Sequence, residues 1–297
     1  MGFARAPDMD SFFDRALLAA RRLGASDVHL KPGLAPILRI AGELRTLSDV
    51  PPLSREFLHS LGLSLLNDRR REALERTGDV VVALATSNGG RQRAHLYHHR
   101  GGLSLSLRLI PPEVPALDTL GLPAEARALT EPGAGLVVVA AGPGAGKTTT
   151  LAALVEDVTA RRPCRVLTIE DPVEHLLRDR RGVVVQREVG TDIPSTAAGL
   201  RAAVRQDVDL LMIGELADAE AIRLAVEAAE AGRLVLAGLG AGSTAQMLER
   251  LTRPAPGGEA ELSGARLAAV LRGAIVQRLV PAAGGRRRGP AGTLLRV

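Results

Sequence analysis

The second half of the chain alternates between short apolar runs and longer segments with helical spacing. The apolar runs end at turn residues and predict buried strands at residues 136–140, 165–169, 208–213 and 233–237. The segments between them predict helices at residues 147–160 and 217–231. Near-continuous apolar strands separated by helices are typical of a parallel sheet that is covered on both faces. This half therefore predicts an α/β domain with a mainly parallel sheet.

The first part of the chain predicts a smaller domain. Helical spacing over residues 11–23, with Ser11 as a plausible N-cap, predicts an amphipathic helix. A helical segment is predicted around residues 55–76, and strands are predicted at residues 37–40, 80–85, 94–97 and 103–110. Prolines interrupt the chain just beyond, which predicts a linker. We therefore expect a small mixed α/β domain at residues 1–110, a linker at 111–117 and a second domain at 118–297.

Composition narrows the class of protein. The 297 residues carry a net charge of +5, but aromatic residues make up only 2% and none follows Tyr97. Proteins that bind single-stranded nucleic acid usually add aromatic stacking platforms to a basic groove, so we expect no nucleic-acid partner. The single cysteine, Cys164, excludes an internal disulfide and a zinc site of paired cysteines.

The apolar runs are also too short for a membrane span. None approaches the ~18 residues that a transmembrane helix needs. The N-terminus, with Asp8 and Asp10, lacks the basic and apolar regions of a signal peptide. We expect a cytoplasmic protein with no direct membrane span, which could still sit on a membrane-bound partner.

A phosphate-binding loop is predicted between the strand LVVVA and the helix at 147–160. The segment AGPGAGKTTT follows the pattern GxxxxGK[ST] except at its first position, where Ala141 replaces glycine. Glycines let backbone N–H groups surround phosphate oxygens, Lys147 can reach the β- and γ-phosphates, and the Thr148 hydroxyl can bind Mg²⁺. The candidate nucleotide-binding residues are Gly142, Pro143, Gly144, Ala145, Gly146, Lys147, Thr148 and Thr149. The alternative is a glycine-rich turn that has lost this function.

The scarcity of lysine supports nucleotide binding. Lys31 and Lys147 are the only lysines among 38 basic residues, and the rest are arginines. The bulkier fork of an arginine would not substitute for the compact ammonium that a phosphate loop encloses. A chain that uses arginine almost everywhere else has therefore kept lysine where this loop needs it.

Two candidate catalytic carboxylates follow predicted strands. Glu215 comes directly after the strand VDLLMI and a glycine, and Glu170 ends the strand within RVLTIEDPVEH. The carboxyl ends of strands are where an open α/β sheet binds its ligand. Beside a γ-phosphate the two carboxylates could orient Mg²⁺ and polarise the attacking water. The alternative for either residue is a surface carboxylate at a strand end.

Several long motifs, in order, resemble those of the secretion ATPases, specifically the type IV pilus retraction (PilT-like, twitching-motility) branch. In the first domain the matching segment is GASDVHLKPGLAPILRIAGEL, at residues 24–44. In the second domain the matching segments are TIEDPVEH, QREVG, DVDLLMIGELAD and IRLAVEAAEAG. The absence of the zinc-binding cysteine cluster found in the extension-motor and type II secretion branches also favours the retraction branch.

The resemblance implies a PAS-like N-terminal domain joined to a RecA-like P-loop NTPase domain, in a subunit of a hexameric ring. It implies ATP and Mg²⁺ at the phosphate loop, and an inner-membrane pilus platform protein as a partner. It also implies arginines from the N-terminal domain at the nucleotide. The matching segment RAHLYHHRGGLSLSLRLIP offers Arg93, Arg100 and Arg108, and the alternative is that each lies on an exposed strand face.

The chain departs from this family in three motifs and at its end. The family's His box is replaced by GRLVLAGLGAG, with Arg233 and Gly240 in place of histidines. The arginine that follows the Walker B glutamate is missing, and Ala141 replaces the first glycine of the phosphate loop. The sequence also ends where the family usually continues into a helical region.

Two functions remain open. The first is an ATP-hydrolysing ring motor subunit, in which Glu170 and Glu215 activate water. The second is a degenerate paralogue that binds nucleotide, hydrolyses it weakly or not at all, and regulates a complete pilus motor. The ring could contain identical chains or mix this chain with a paralogous pilus ATPase.

Overall fold

The computed structural model describes residues 9–85, 90–252, 264–281 and 288–296. Residues 1–8, which include most of the N-terminal segment without signal-peptide features, therefore lie outside the described residues. Spatial proximity divides the chain into two compact units, Met1–Pro112 and Glu113–Val297, called here the N-terminal unit and the C-terminal unit. No helix in the described ranges is both long and apolar enough to cross a membrane.

The N-terminal unit is built on a six-stranded antiparallel sheet. Its strands are β1 (Ala25–Leu30), β2 (Ile37–Ile40), β3 (Glu43–Thr46), β4 (Asp79–Ala85), β5 (Arg91–His99) and β6 (Gly102–Ile110). They lie in the order β3-β2-β1-β6-β5-β4. The helices of this unit are α1 (Met9–Arg22), α2 (Arg55–Ser64) and α3 (Asp68–Thr77). Apolar residues of the helices and of the sheet form one core, in which Leu17 of α1 and Leu58 of α2 are fully buried.

The prediction of a single helical segment around residues 55–76 is wrong in one respect, because the structure has two helices there. The Asn67 side chain accepts a hydrogen bond from the Arg70 N–H at 2.9 Å and so caps the start of α3. Gly78, with a left-handed φ of 82°, ends this helix. The chain therefore turns at Asn67 and returns to the sheet at β4.

The C-terminal unit is built on a seven-stranded sheet. Its strands are β7 (Gly135–Ala141), β8 (Arg165–Glu170), β9 (Val183–Glu188), β10 (Leu210–Ile213), β11 (Leu234–Leu239), β12 (Leu271–Pro281) and β13 (Arg288–Arg296). They lie in the order β13-β12-β7-β11-β10-β8-β9, and only β13 is antiparallel to its neighbour. The prediction of a mainly parallel sheet is confirmed. The strand predicted at 208–213 begins later, at Leu210, because Asp207 has a left-handed φ of 50° just before it.

Helices cover both faces of this sheet. They are α4 (Glu125–Ala128), α5 (Lys147–Arg161), α6 (Thr196–Ala203), α7 (Ala219–Glu230), α8 (Thr244–Thr252) and α9 (Gly264–Val270), and a short 3-10 helix precedes α4 at Leu117–Leu120. Val137 and Val139 of β7 share a core with α5, whereas Val138 and Ala140 share the other core with α6 to α9. Because the central strands β7, β10 and β11 are buried on both faces, they read as continuous apolar runs.

The parallel strands bring distant parts of the chain to one edge of the sheet. Ile169 pairs with Ile213 across β8 and β10, so the residues that follow them end side by side. Gln277 of β12 pairs with Ala141 at the end of β7. This edge is where an open α/β sheet carries its ligand site.

Candidate functional site

The predicted phosphate loop connects β7 to α5, as the sequence pattern requires. Ala141 is fully buried at the end of β7 and does not have a positive φ, so a glycine is not needed there. Gly144 and Gly146 have φ values of 68° and 87°, which favour glycine. The departure at Ala141 therefore falls on a position where the backbone is ordinary strand, and the two glycines that the loop conformation needs are present.

Lys147 begins α5 and forms an ion pair with Glu215, two residues beyond the end of β10. The side chain of Lys147 is 16% exposed and that of Glu215 is 43% exposed, so the pair lies at the mouth of the site. The positive end of the α5 dipole and the loop N–H groups lie beside it. The structure thus brings together the lysine and one of the two carboxylates that were predicted from the sequence.

Glu170 ends β8 and is almost completely buried, with 3% of its surface exposed. Its Oε1 atom accepts hydrogen bonds from Thr168 Oγ1 at 2.6 Å and from Gln186 Nε2 at 3.0 Å. Burial raises the pKa of Glu170 to about 7, against the opposing effect of these two hydrogen bonds. Glu170 therefore holds or releases a proton close to neutral pH, which is the range of a general acid or base.

Glu170 ends β8, and Glu215 follows the end of the neighbouring strand β10, from which Gly214 separates it. A Cβ atom on Gly214 would lie 3.5 Å from Glu170 Cα and 3.7 Å from Glu170 Cγ, so the glycine packs directly against Glu170. The Gly214 N–H also donates to the Ile169 carbonyl at 2.8 Å. The two predicted carboxylates therefore reach the same edge of the sheet, one buried and one partly exposed.

Gly240, which replaces a histidine of the family pattern, follows β11 beside Glu215. A Cβ atom on Gly240 would lie 3.1 Å from Glu215 Oε1 and 3.2 Å from Arg250 Nη1. The missing imidazole thus falls next to a predicted catalytic carboxylate, and the exposed Arg250 of α8 brings a guanidinium to the same position. Arg233, the other replacement, precedes β11 and lies at the opposite edge of the sheet.

His175 is a buried imidazole at the site that the sequence reasoning did not assign. It is 5% exposed, and its Nε2 atom lies 3.4 Å from Thr149 Oγ1. Gln186 of β9 organises the segment that carries it, because Gln186 Nε2 donates to the His175 carbonyl at 2.9 Å as well as to Glu170. The motif QREVG was recognised for its resemblance, but a hydrogen-bonding role for its glutamine depends on which strand lies beside β8.

Gln277 is a second residue that the sequence reasoning missed. It is 4% exposed on β12, and its side chain contacts both the phosphate loop and the first turn of α5. The available signal was a polar residue inside the apolar run AIVQRLV. Such a residue needs a partner when it is buried, but the sequence does not say which partner.

The family model described as "Type II/IV secretion system protein" matches residues 10–289. The chain belongs to this family. It is 33% identical over 271 residues to the type IV pilus retraction ATPase PilT of Pseudomonas aeruginosa, covering 91% of this chain and 78% of PilT. It is 30% identical over 276 residues to the type IV pilus ATPase PilU of the same organism, covering 93% of this chain and 72% of PilU.

A solved structure of the pilus retraction motor PilT with bound ADP is also similar. It superposes with a TM-score of 0.85 at 36% identity, covering 95% of this chain and 82% of that one. The predicted family and fold class are confirmed, and the chain is homologous to the type IV pilus ATPases. Membership of this secretion ATPase family implies nucleotide binding.

The arginines that the family resemblance singles out lie in the N-terminal unit and fall into two groups. Arg93 and Arg108 are opposite each other in the β5-β6 register, and both are exposed. Arg108 Nε donates to Asp27 Oδ1 at 3.0 Å. Arg100 lies in the turn that follows His99, the last residue of β5. At ~3.4 Å per residue, His99 is about 20 Å along the strand from Arg93. One subunit therefore presents Arg93 and Arg108 together, and Arg100 apart from them.

Among the described residues, no cluster of three or more His, Cys, Asp or Glu side chains could hold a metal ion by itself. Mg²⁺ does not need such a cluster at a nucleotide, because it keeps several water ligands and takes most others from phosphate oxygens. Thr148 lies half-buried in the first turn of α5, where its hydroxyl fits one ligand position. The residues present thus fit Mg²⁺ carried with a nucleotide.

Proposed function

We propose that this chain is an ATP-binding and ATP-hydrolysing motor subunit of the pilus retraction type. The observation that carries the proposal is the ion pair between Lys147 and Glu215, which joins the phosphate loop to the end of β10. A lysine at the start of α5 and a carboxylate opposite it are the two charges that phosphoryl transfer needs at this edge of the sheet. Similarity to PilT and PilU supports the same reaction.

In this proposal the phosphates of ATP take the place of the Glu215 carboxylate at Lys147. The loop from Gly142 to Gly146 surrounds the phosphates with N–H groups. Thr148 would hold Mg²⁺ that arrives with the nucleotide, and the ion would neutralise phosphate charge. Glu215 is then free to orient the attacking water. Glu170, whose pKa is near 7 because of burial, accepts or returns a proton beside it.

We propose that the active assembly is a ring, either a homo-hexamer or a mixed ring with a paralogous pilus ATPase. Relatives with the names PilT and PilU in one organism support the mixed alternative. In the ring, Arg93 and Arg108 would approach nucleotide phosphates, because a planar guanidinium can clamp phosphate oxygens. The ring would work in the cytoplasm against an inner-membrane pilus platform protein.

Steady-state ATP hydrolysis by the purified protein tests the proposal. Lys147→Ala removes the only lysine of the C-terminal unit, and Lys31→Ala removes the other lysine of the chain, which is exposed in the N-terminal unit. We expect turnover to fall at least a hundredfold in Lys147→Ala and to stay unchanged in Lys31→Ala. Equal, low rates in the unchanged protein and Lys147→Ala would reject the motor.

The second candidate is a nucleotide-binding subunit that regulates a complete pilus motor. Gly240 favours it, because a Cβ there would touch Glu215 and a glycine has no side chain that could donate a hydrogen bond or carry a proton. This candidate predicts nucleotide binding that depends on Lys147 without turnover above background. Stimulation of turnover when the chain is mixed with a purified, active pilus ATPase would then support it.

A further inference from the structure

We infer that Gln277 is a positioning residue for the phosphate loop, acting through two hydrogen bonds from β12. The inference rests on the proposed nucleotide binding and adds to it a residue that is 132 positions from its loop partner. No contact between Gln277 and a nucleotide is needed. Its role would be to hold the loop in the shape that receives one.

Both ends of the Gln277 amide are used. Oε1 accepts a hydrogen bond from Thr150 Oγ1 at 2.9 Å, and Nε2 donates to the Ala145 carbonyl oxygen at 2.7 Å. The Ala145 carbonyl can only accept, so it determines which way the amide is turned. A side-chain amide offers a donor and an acceptor on one planar group, and unlike a carboxyl or an imidazole it does so at every ordinary pH.

These two contacts lie at the two ends of the catalytic part of the loop. Ala145 precedes Gly146 and Lys147, and Thr150 lies one helical turn later, with its N–H bonded to the Gly146 carbonyl at 3.0 Å. Lys147 and Thr148 are therefore held between two points that one side chain fixes. The strand that carries this side chain is hydrogen-bonded on both sides, to β7 on one side and to β13 on the other.

The contact also orients a backbone N–H group. In a trans peptide the C=O and N–H bonds point in opposite directions, so holding the Ala145 carbonyl turns the Gly146 N–H away from Gln277. Gly146 needs a φ of 87°, and a Cβ atom there would lie 3.1 Å from Gln277 Nε2. Gln277 and Gly146 are thus matched: the glycine permits both the left-handed backbone and the close approach of the amide.

A purely structural role is the alternative, since a buried polar side chain must be paired wherever it lies. The two roles differ in what a variant changes. Loss of buried hydrogen bonds lowers stability in either case, whereas loss of loop positioning also changes the protection of the loop amides and the affinity of the folded protein for nucleotide.

The test compares Gln277→Met, which keeps the length but removes both polar groups, with Thr150→Val and with Thr159→Val as the matched control. Thr159 is a fully buried threonine on the same helix, but its hydroxyl donates to Val155 O and Glu156 O, away from the loop. Amide hydrogen exchange of residues 142–150 is measured without nucleotide. Affinity is measured with the fluorescent analogue mant-ADP, and thermal unfolding reports stability.

We expect Gln277→Met to speed exchange in the loop and to weaken mant-ADP binding about tenfold, the effect of losing one to two net hydrogen bonds. Thr150→Val should weaken binding less, and Thr159→Val should lower thermal stability with affinity and loop exchange unchanged. Loop exchange and affinity in Gln277→Met equal to those of the unchanged protein would overturn the inference, whatever the stability.

Gln277→Glu supplies a second, conservative variant. An ionised carboxylate can accept from Thr150 but cannot donate to the Ala145 carbonyl, whereas a protonated carboxyl can do both. At this buried position we expect the pKa of the introduced carboxyl to be raised. Relative to the unchanged protein at each pH, affinity should therefore be lower at pH 8 and recover as the pH falls to 5.5. If the unchanged protein does not bind mant-ADP at all, the proposed function fails, and faster loop exchange in Gln277→Met still supports the positioning role.

Discussion

Lys147 of the predicted phosphate loop is paired with Glu215, two residues beyond the end of β10, so the ammonium that we propose binds phosphate is held by a carboxylate. The pair keeps Lys147 largely out of solvent, at 16% side-chain exposure. Any nucleotide that reaches the loop must therefore compete with Glu215 for this ammonium. Removal of the Glu215 charge should separate binding from hydrolysis.

We expect Glu215→Gln to bind ATP as tightly as the unchanged protein or tighter, and to lose about a hundredfold in turnover. The amide no longer competes as a charge for Lys147, and it cannot serve as a base for water. Equilibrium titration with mant-ATP and steady-state hydrolysis measure the two effects. Glu220→Gln is the control, because Glu220 of α7 is a partly exposed carboxylate paired with Arg201 of α6. Weaker binding in Glu215→Gln alone would contradict this prediction.

Glu170 should make stability depend on pH. Its pKa is raised by burial from 4.5 to about 7, so the folded state binds more protons than the unfolded state between these values. The contribution of the protonated carboxyl is fully present below pH 4.5 and is lost as the pH rises through 7. Ionisation of Glu170 therefore destabilises the fold at alkaline pH, by on the order of 3 kcal/mol at most.

Glu170→Gln isolates this effect, because the amide has nearly the same shape and never ionises. We expect its unfolding midpoint, relative to that of the unchanged protein, to rise between pH 5 and pH 8. Thermal unfolding at several pH values measures the difference. A difference that stays constant over this range would show that Glu170 does not change its protonation state there.

Gly240 should be sensitive to a side chain because of its neighbours rather than its backbone. A branched side chain in Gly240→Val would press on Glu215 Oε1 and on Arg250 Nη1, which are the ends of flexible side chains that can move away. We expect the protein to fold normally and turnover to fall about tenfold or more, since small displacements of reacting groups are costly. Gly242→Val is the control, because a Cβ at Gly242 makes only an ordinary 3.5 Å contact with Gln246. Equal rates in the two variants would contradict the prediction.

The two groups of arginines should differ in their effect on turnover when the chain assembles into a ring. Arg93 and Arg108 face each other across β5 and β6, whereas Arg100 lies at the far end of that hairpin. If the first pair serves the nucleotide, Arg93→Ala should lower turnover about tenfold or more while leaving mant-ADP affinity nearly unchanged. Arg45→Ala, at an exposed arginine on β3 of the same unit, is the control. A loss confined to Arg100→Ala would instead assign the role to the turn.

Local sequence signals predicted much of the C-terminal unit. The apolar runs located β7, β8, β10 and β11, because strands buried on both faces must be apolar throughout. The loop and its lysine were also recognisable, since glycines at left-handed positions and a lysine at a helix start leave a local pattern. The break at Asn67 was missed, because a single N-cap residue inside a long helical pattern gives a weak signal.

Contacts between neighbouring strands of the sheet could not be predicted from local sequence patterns. Thr149 meets His175 and Glu170 meets Gln186, although these partners are 26 and 16 positions apart in the chain. Glu170 reaches Gln186 because β8 lies beside β9. The raised pKa of Glu170 likewise depends on burial, which is a property of the packed sheet and not of the motif TIEDPVEH. Spacing along the chain cannot report such proximity.

The sequence by itself determined the fold class, the family, the position of the phosphate loop and the residue types available for its chemistry. Only the tertiary structure decided that Ala141 has a strand backbone that needs no glycine, that Gly240 lies beside Glu215, and that Gln277 spans the loop from β12. The physical reason is the order of the strands. Parallel neighbours far apart in the chain end at one edge of the sheet, where hydrogen bonds and ion pairs form between residues that no local pattern connects.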